Sequence, residues 1–95
     1  MLDQLIHEQP QLGTRLHPNL PIRVAEVIWA VRNEWARSVD DVLARRTRAL
    51  FLNAKASIEI APIVASWMAS ELGRDASWQS DQVFKFRQMA KNFLP

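Results

Sequence analysis

Acidic residues gather in one part of the chain: Asp40 and Asp41 are adjacent, and Glu34 lies six residues before them. Paired carboxylates can do acid–base chemistry or bind a metal ion. Ser38 precedes the pair as a candidate N-cap, which places both aspartates in the positive first turn of a predicted helix. Arg45 follows Asp41 by four residues, the spacing of a helix-stabilising ion pair worth about 0.3–0.5 kcal/mol. We therefore interpret these carboxylates as capping and ion-pairing groups.

Three arginines, Arg45, Arg46 and Arg48, fall within four residues. Such a group can bind phosphate, nucleic acid or an acidic lipid surface. Successive helical side chains are about 100° apart, so the three point in different directions. Seven basic and four acidic residues between 23 and 55 leave a charge of +3, too small for a nucleic-acid-binding surface. We predict a mainly structural role and keep the three as candidates for an interface with another domain or a membrane.

Few other residues could carry chemistry. The chain has no cysteine, and its two histidines, His7 and His17, have no metal-ligating partner at a suitable spacing. Its two glycines, Gly13 and Gly73, are too far apart to build a Gly-rich phosphate loop. The tryptophans could stack on bases, but we predict that they pack in the core or an interface: Trp29, Trp35, Trp67 and Trp78. We predict no catalytic, cofactor-binding or metal-binding residue.

Length and composition indicate one small globular domain. The chain has 95 residues, of which 48% are hydrophobic and 23% charged, with a net charge of +2. The longest uncharged stretch, residues 60–70, is eleven residues long, whereas a membrane span needs about 20. Acidic residues near the N-terminus argue against a secretion signal. We predict a single domain over residues 1–95, with a short helix and Pro-rich lead-in over 1–21 and a helical core over 22–95.

The hydrophobic pattern has a helical period, with no sustained strand alternation and no Asn-Gly or Asp-Gly hairpin signal. We therefore predict an all-α fold, a small bundle of four to five helices with no sheet. Residues 2–8 are expected to form a short helix, and residues 10–21 to be largely irregular. Pro21 is a candidate first residue of the next helix.

That helix is predicted over residues 22–36, with Val24, Ile28, Val31 and Trp35 facing inward. Ala30 falls on the opposite, mostly polar face. Ser38 then caps a helix with three apolar residues on its inward side: Val39, Val42 and Leu43.

Two longer helices complete the prediction. Asn53 is expected to cap a helix over 54–72 that is kinked at Pro62, or divided into two helices there, and that ends at Gly73. Asp75 or Ser77 is expected to cap the last helix, over 78–93. Its inward residues are predicted as Val83, Phe86, Met89 or Ala90, and Phe93.

Several segments together resemble the C-terminal domain of FAD-dependent glycerol-3-phosphate dehydrogenases. They include Leu16–Pro21, Ala25–Glu34 and above all Ser38–Arg48, with its Asp-Val-Leu-Ala-Arg-Arg-Thr-Arg run. The resemblance continues through Leu50–Ala54 and Ala61–Pro62 to Glu71–Gly73, and so covers most of residues 16–73. Asn53 stands where the family often has Asp, and both residues can cap a helix.

The resemblance implies a helical piece of a larger flavoenzyme. Such enzymes oxidise glycerol 3-phosphate to dihydroxyacetone phosphate, pass electrons through FAD to a quinone, and associate peripherally with the inner membrane from the cytoplasmic side; a related branch uses oxygen. Their FAD and substrate sites lie in a larger N-terminal region, so the resemblance carries no catalytic or FAD residue over to this chain.

From the resemblance we predict a structural, non-catalytic domain of a parent oxidoreductase. It would hold no cofactor of its own, while the parent holds FAD. Its partners would be the catalytic FAD and substrate domains of the same chain, with a possible membrane contact through the parent, no nucleic acid, and a possible homodimer of the domain alone. The alternative is a stand-alone helical module that binds protein or nucleic acid.

Overall fold

The computed structural model describes residues 13–46 and 49–94. The predicted helix over residues 2–8, His7 and Arg48 lie outside the described residues. Within these ranges the chain is mostly helical, which confirms the all-α class. The predicted absence of a sheet is wrong, because a small antiparallel hairpin precedes the helices. The single domain over residues 1–95, divided at residue 21, stays a prediction.

The hairpin pairs β1, Arg15–His17, with β2, Leu20–Arg23. Its turn is Pro18-Asn19: proline favours the second position of a β-turn, and asparagine tolerates the third. Residues 10–21 are therefore more regular than predicted, and Pro21 belongs to a strand rather than to a helix. In a two-stranded sheet both strands are edge strands, and an edge strand tolerates the missing N–H of proline. Leu20 and Ile22 are almost fully buried, so β2 supplies part of the core.

Helix α1 spans Val24–Asn33, shorter than the predicted 22–36. Val24, Ile28 and Val31 are buried as predicted. Ala30, which the helical period predicts on the polar face, is buried as well, because α1 packs on more than one neighbour. Trp35, predicted to face inward, is exposed, because the helix ends before reaching it.

Two short helical segments follow. Asp41–Arg46 is a π-helix, and α2 spans Ala49–Leu52. The hydroxyl of Ser38 accepts a hydrogen bond from the N–H of Asp41 at 3.1 Å, which confirms the predicted cap. The three inward residues predicted for this segment are fully buried: Val39, Val42 and Leu43.

Helix α3 spans Ala54–Leu72, with the bounds that the sequence predicts. The side chain of Asn53 accepts the N–H of Ala56 at 3.0 Å, as predicted for the cap. Gly73 ends the helix at φ 71°, and the N–H of Arg74 donates to the carbonyl of Ala69 at 2.9 Å. The helix runs through the exposed Pro62, so the predicted alternative of two helices is wrong.

Helix α4 spans Ala76–Ala90 and starts two residues earlier than predicted. Asp75, rather than Ser77, is its cap and accepts the N–H of Trp78 at 2.8 Å. A 3₁₀ helix, Lys91–Phe93, follows directly. Its tighter winding changes the side-chain period, so Phe93, predicted to face inward, is half-exposed.

One main cluster of buried side chains joins β2, α1, the π-helix, α2, α3 and α4. Each of these elements contributes at least one large, fully buried side chain, among them Leu20, Ile22, Val27, Leu43, Leu50, Ile60, Met68 and Phe86. A smaller cluster of Val24, Ala25 and Ile28 packs with Leu16 and Trp67. This core fixes the elements that carry the surface features described below.

Candidate functional site

The structure describes the backbone of only two of the three arginines in the predicted group. The backbones of Arg45 and Arg46 lie in the π-helix, whose segment packs against α1 and α2, whereas Arg48 lies outside the described residues. The interface role of the three arginines and the Asp41–Arg45 ion pair both stay predictions. The capping role predicted for the carboxylates also stays a prediction. The carboxylate of Asp41 accepts the backbone N–H of Arg37 at 2.9 Å, which closes the loop before the π-helix.

His17 joins the hairpin to the long helix. Its Nε2 lies 2.9 Å from the carboxylate of Glu59 on α3, and its Nδ1 accepts the N–H of Asn19 at 3.0 Å. Because Nδ1 accepts, the proton of the neutral ring lies on Nε2 and points to Glu59. Forty-two residues separate the pair, so no sequence spacing could have predicted it. Among the described residues, no three His, Asp or Glu side chains converge to hold a metal ion.

A two-pronged ion pair connects α1 to the end of α3. Arg32 donates from Nε to one carboxylate oxygen of Glu71 at 2.6 Å and from Nη2 to the other at 3.3 Å. The hydrogen bond to Glu71 is the main cause that raises the pKa of Arg32 above its usual value; burial opposes it, and the negative charge of Glu71 adds to the increase. The contact joins the two helices near their C-terminal ends.

Two of the surface grooves that the described residues form lie beside α4 and beside α2. One, of about 530 Å³, lies between α3 and α4; its lining includes Pro62, Val83 and Phe84, with Arg87 and Lys91. The other, of about 440 Å³, lies beside α2 and is lined by residues 50–55 and Phe93. Neither lining contains an acid, a base and a nucleophile together. Each groove can therefore make apolar contacts with a ligand, with cationic side chains nearby.

Large apolar side chains stand in solvent beside the second groove. Phe51 and Leu52 on α2 are more than half exposed, and the ring of Phe51 meets that of Phe93 edge to face, with centroids 5.3 Å apart. We name Phe51, Leu52 and Phe93 the aromatic patch. Exposed apolar clusters of this kind mark interaction surfaces more often than chance.

The loop after α1 carries the most exposed large hydrophobic side chain among the described residues. Trp35 is 78% exposed and has a left-handed backbone, φ 61°. Within the described ranges, no other residue besides glycine has a positive φ. For a bulky side chain this conformation costs about 1–2 kcal/mol. The guanidinium of Arg37 lies over the ring of Trp35, 5.3 Å from the ring centroid.

Comparison with known proteins identifies the kind of domain. The family model for the C-terminal domain of alpha-glycerophosphate oxidase matches residues 2–79. The chain belongs to this family. The match agrees with the resemblance seen in the sequence, and it covers the hairpin, α1, the π-helix, α2, α3 and the start of α4.

Curated relatives of the chain are glycerol-3-phosphate dehydrogenases. A Caenorhabditis elegans protein named as a probable mitochondrial glycerol-3-phosphate dehydrogenase is 46% identical over 78 residues, which are 82% of this chain and 11% of the relative. The human mitochondrial glycerol-3-phosphate dehydrogenase is 34% identical over 85 residues, 90% of this chain and 11% of the relative. The Arabidopsis thaliana mitochondrial protein SDP6 is 33% identical over 88 residues, 93% of this chain and 14% of the relative.

The chain therefore spans only about a tenth of the length of the curated relatives that it matches. No solved structure matches it. Among the helices that the structure describes, none combines the length and the hydropathy needed to cross a bilayer.

Proposed function

We propose that this chain is the helical C-terminal accessory domain of an FAD-dependent glycerol-3-phosphate dehydrogenase. The match to the family over residues 2–79, combined with the short span on every relative named above, carries the proposal. The longer enzyme would oxidise glycerol 3-phosphate to dihydroxyacetone phosphate, transferring two electrons and two protons through FAD to a quinone. The domain's own work would be structural and not catalytic.

The residues that the structure describes do not fit a site for FAD. A dinucleotide site is built from a strand, a Gly-rich turn and a helix N-terminus within a parallel sheet. The strands described are an antiparallel hairpin, and Gly73 ends a helix instead of opening one. We therefore assign FAD and the substrate to other domains of the same polypeptide, and derive no catalytic step for this chain.

Exposed apolar side chains on separate elements support an accessory role. Trp35 follows α1, Phe51 and Leu52 lie on α2, Phe93 lies on the 3₁₀ helix, and each is exposed to solvent. A domain that packs against a larger body keeps apolar surface on the faces that the body covers. We place the longer enzyme in the cytoplasm, peripheral to the inner membrane, and we infer that the separate domain can associate with a second copy.

The first experiment is to read the coding frame upstream of Met1 and to purify the product of the whole frame. The whole product should contain bound flavin and reduce a quinone analogue when glycerol 3-phosphate is added. The 95-residue chain alone should do neither. A version without this chain should lose activity on warming at least about tenfold faster.

Two results would overturn the proposal. One is a ribosome-binding site directly before Met1 with no upstream frame, which would leave the stand-alone module. The other is a whole product without flavin or without glycerol-3-phosphate oxidation.

A further inference from the structure

Trp35 occupies a helix-end position that normally belongs to glycine. Helix α1 ends at Asn33, Glu34 is the capping residue, and the next residue adopts φ 61°. Glycine is common at that position because a side chain strains the left-handed backbone. A tryptophan there gains little from its own domain, since 78% of it is exposed. Backbone strain at an exposed residue points to a role outside the fold.

The loop that presents Trp35 is fixed on both sides: before it, the N–H of Glu34 donates to the carbonyl of Ala30 at 3.0 Å. Ala36, the next residue, is buried, and its N–H donates to the carbonyl of Ala30 at 3.0 Å. The N–H of Arg37 donates to the carboxylate of Asp41 at 2.9 Å. The indole ring is therefore held outward by a rigid loop, which lowers the entropy that its ordering costs on binding.

Arg37 supplies a second contact point beside the ring. Its Nη1 donates to the carbonyl of Ala36 at 2.8 Å and to that of Val31 at 3.3 Å. A guanidinium has five N–H donors. Its Nε and Nη2 donors make no hydrogen bond among the described residues. Together they form one edge of the guanidinium, which can donate two hydrogen bonds to the two oxygens of a carboxylate.

We propose that Trp35 and Arg37 form the docking site for the preceding part of the longer polypeptide. That part would offer an apolar pocket to the indole and a carboxylate to the Nε–Nη2 edge of Arg37. This inference rests on the proposed function, and the occupant follows from it: about nine-tenths of each relative's length lies outside the region matched by this chain. Tryptophan and arginine are also the side chains that most often dominate binding energies at interfaces.

Hydroxyl-radical footprinting of the whole product and of the 95-residue chain tests the contact directly. Oxidation of Trp35 should be at least about fivefold slower in the whole product. The other tryptophans, already partly buried within the domain, serve as internal references: Trp29, Trp67 and Trp78.

The footprint separates the docking site from the proposed function. Protection of the aromatic patch or of Phe84 without protection of Trp35 would refute the docking site and leave the accessory role standing. No protection anywhere would refute both. Protection of Trp35 in the 95-residue chain that increases with its concentration would assign the site to a second copy and refute this proposal.

A pair of matched variants separates contact from folding. Trp35→Asn keeps a residue that tolerates the left-handed backbone, so the melting temperature of the 95-residue chain should stay within about 3 °C of the parent. In the whole product the same change should lower the first thermal transition by at least about 5 °C. Phe84→Gln is the matched control, because Phe84 is an aromatic residue on α4 that is 62% exposed. It should leave the temperature of that transition unchanged. An unchanged transition for Trp35→Asn would overturn the proposal.

Discussion

Asn53 stabilises α3 through one hydrogen bond, from the N–H of Ala56 to its side-chain oxygen at 3.0 Å. Asn53→Ala removes that acceptor and should lower the free energy of unfolding by about 1 kcal/mol. Asn53→Asp keeps the acceptor and adds a negative charge near the helix N-terminus, so it should match or exceed the parent. Urea unfolding of the three proteins checks this. Equal midpoints for Asn53→Ala and the parent would show that the cap does not matter.

The Arg32–Glu71 contact joins α1 to α3 at a half-exposed site. A double-mutant cycle with Arg32→Gln and Glu71→Gln should give a coupling of about 0.5–1 kcal/mol, because partial exposure screens the pair. The exposed Lys85–Asp81 pair, at 3.0 Å, should give about 0.3–0.5 kcal/mol in the same cycle. A smaller coupling for Arg32–Glu71 than for the control pair would show that its two-pronged geometry adds nothing.

The pH dependence of that coupling follows from the pKa of Arg32. Its pKa is raised in the folded protein, so the stabilisation is fully present below the unfolded pKa and is lost only as the pH rises through the folded value. Both lie in strongly alkaline solution, so the coupling should be constant from about pH 7 to about pH 10. Repeating the cycle at three pH values measures this, and a coupling that falls steadily over the range would be inconsistent with it.

Local signals at single residues predict both ends of α3 but neither end of α1. Asn53 and Gly73 lie at the helix ends that the sequence assigns to them, and Asp75 is one of the two caps predicted for α4, because capping depends on backbone groups only a few residues away. The outward positions of Trp35 and Phe93 could not be predicted from the helical period. Each lies just past the end of its α-helix, where the side-chain direction is no longer set by 3.6 residues per turn.

At the scale of whole elements, α3 is the longest helix of the described residues and contains Pro62 eight residues after its start. Proline lacks the N–H that would donate to the carbonyl of Ile58. Pro62→Ala should restore that hydrogen bond and raise the free energy of unfolding by about 1 kcal/mol, less than the full propensity difference of about 3 kcal/mol, because proline also restricts the unfolded chain. Ile63→Ala, at the exposed residue next to Pro62, is the control and should not raise the free energy of unfolding. Thermal unfolding monitored by circular dichroism compares them, and a destabilised Pro62→Ala would mean that the proline is needed at this position.

The hairpin is the element that the sequence does not predict. Alternating polarity and Asn-Gly or Asp-Gly turns are the usual signals of a hairpin, whereas β1 and β2 are three and four residues long and turn at Pro18-Asn19. Strands this short give no measurable alternation. Their stability comes from Leu20 and Ile22 packing in the core and from His17 contacting Glu59 on α3, and such contacts between distant parts of the chain leave no local pattern.

At the scale of the whole molecule, the observations that support the proposed function are exposed apolar side chains among the described residues. Residue types alone identify the family, because the Ser38–Arg48 segment is distinctive. The exposed Trp35 and the aromatic patch could not be found that way, because exposure depends on where helices end and on what they pack against. Residue types such as Trp and Phe indicate burial by default, and only the fold reveals which of them stay in solvent.

The aromatic patch leads to a prediction for the separate domain. Phe51 and Leu52 are exposed on α2 beside a groove of about 440 Å³, so the 95-residue chain should bind a hydrophobic dye and self-associate at high concentration. Phe51→Gln with Leu52→Gln should reduce dye binding at least about threefold and shift sedimentation toward the monomer. Both side chains are mostly in solvent, so the melting temperature should fall by no more than a few degrees. Ile63→Gln, which changes an exposed apolar residue on α3 in the same way, is the control and should leave dye binding unchanged. A strict monomer that binds no dye would mean that this chain keeps no apolar surface for a larger body to cover.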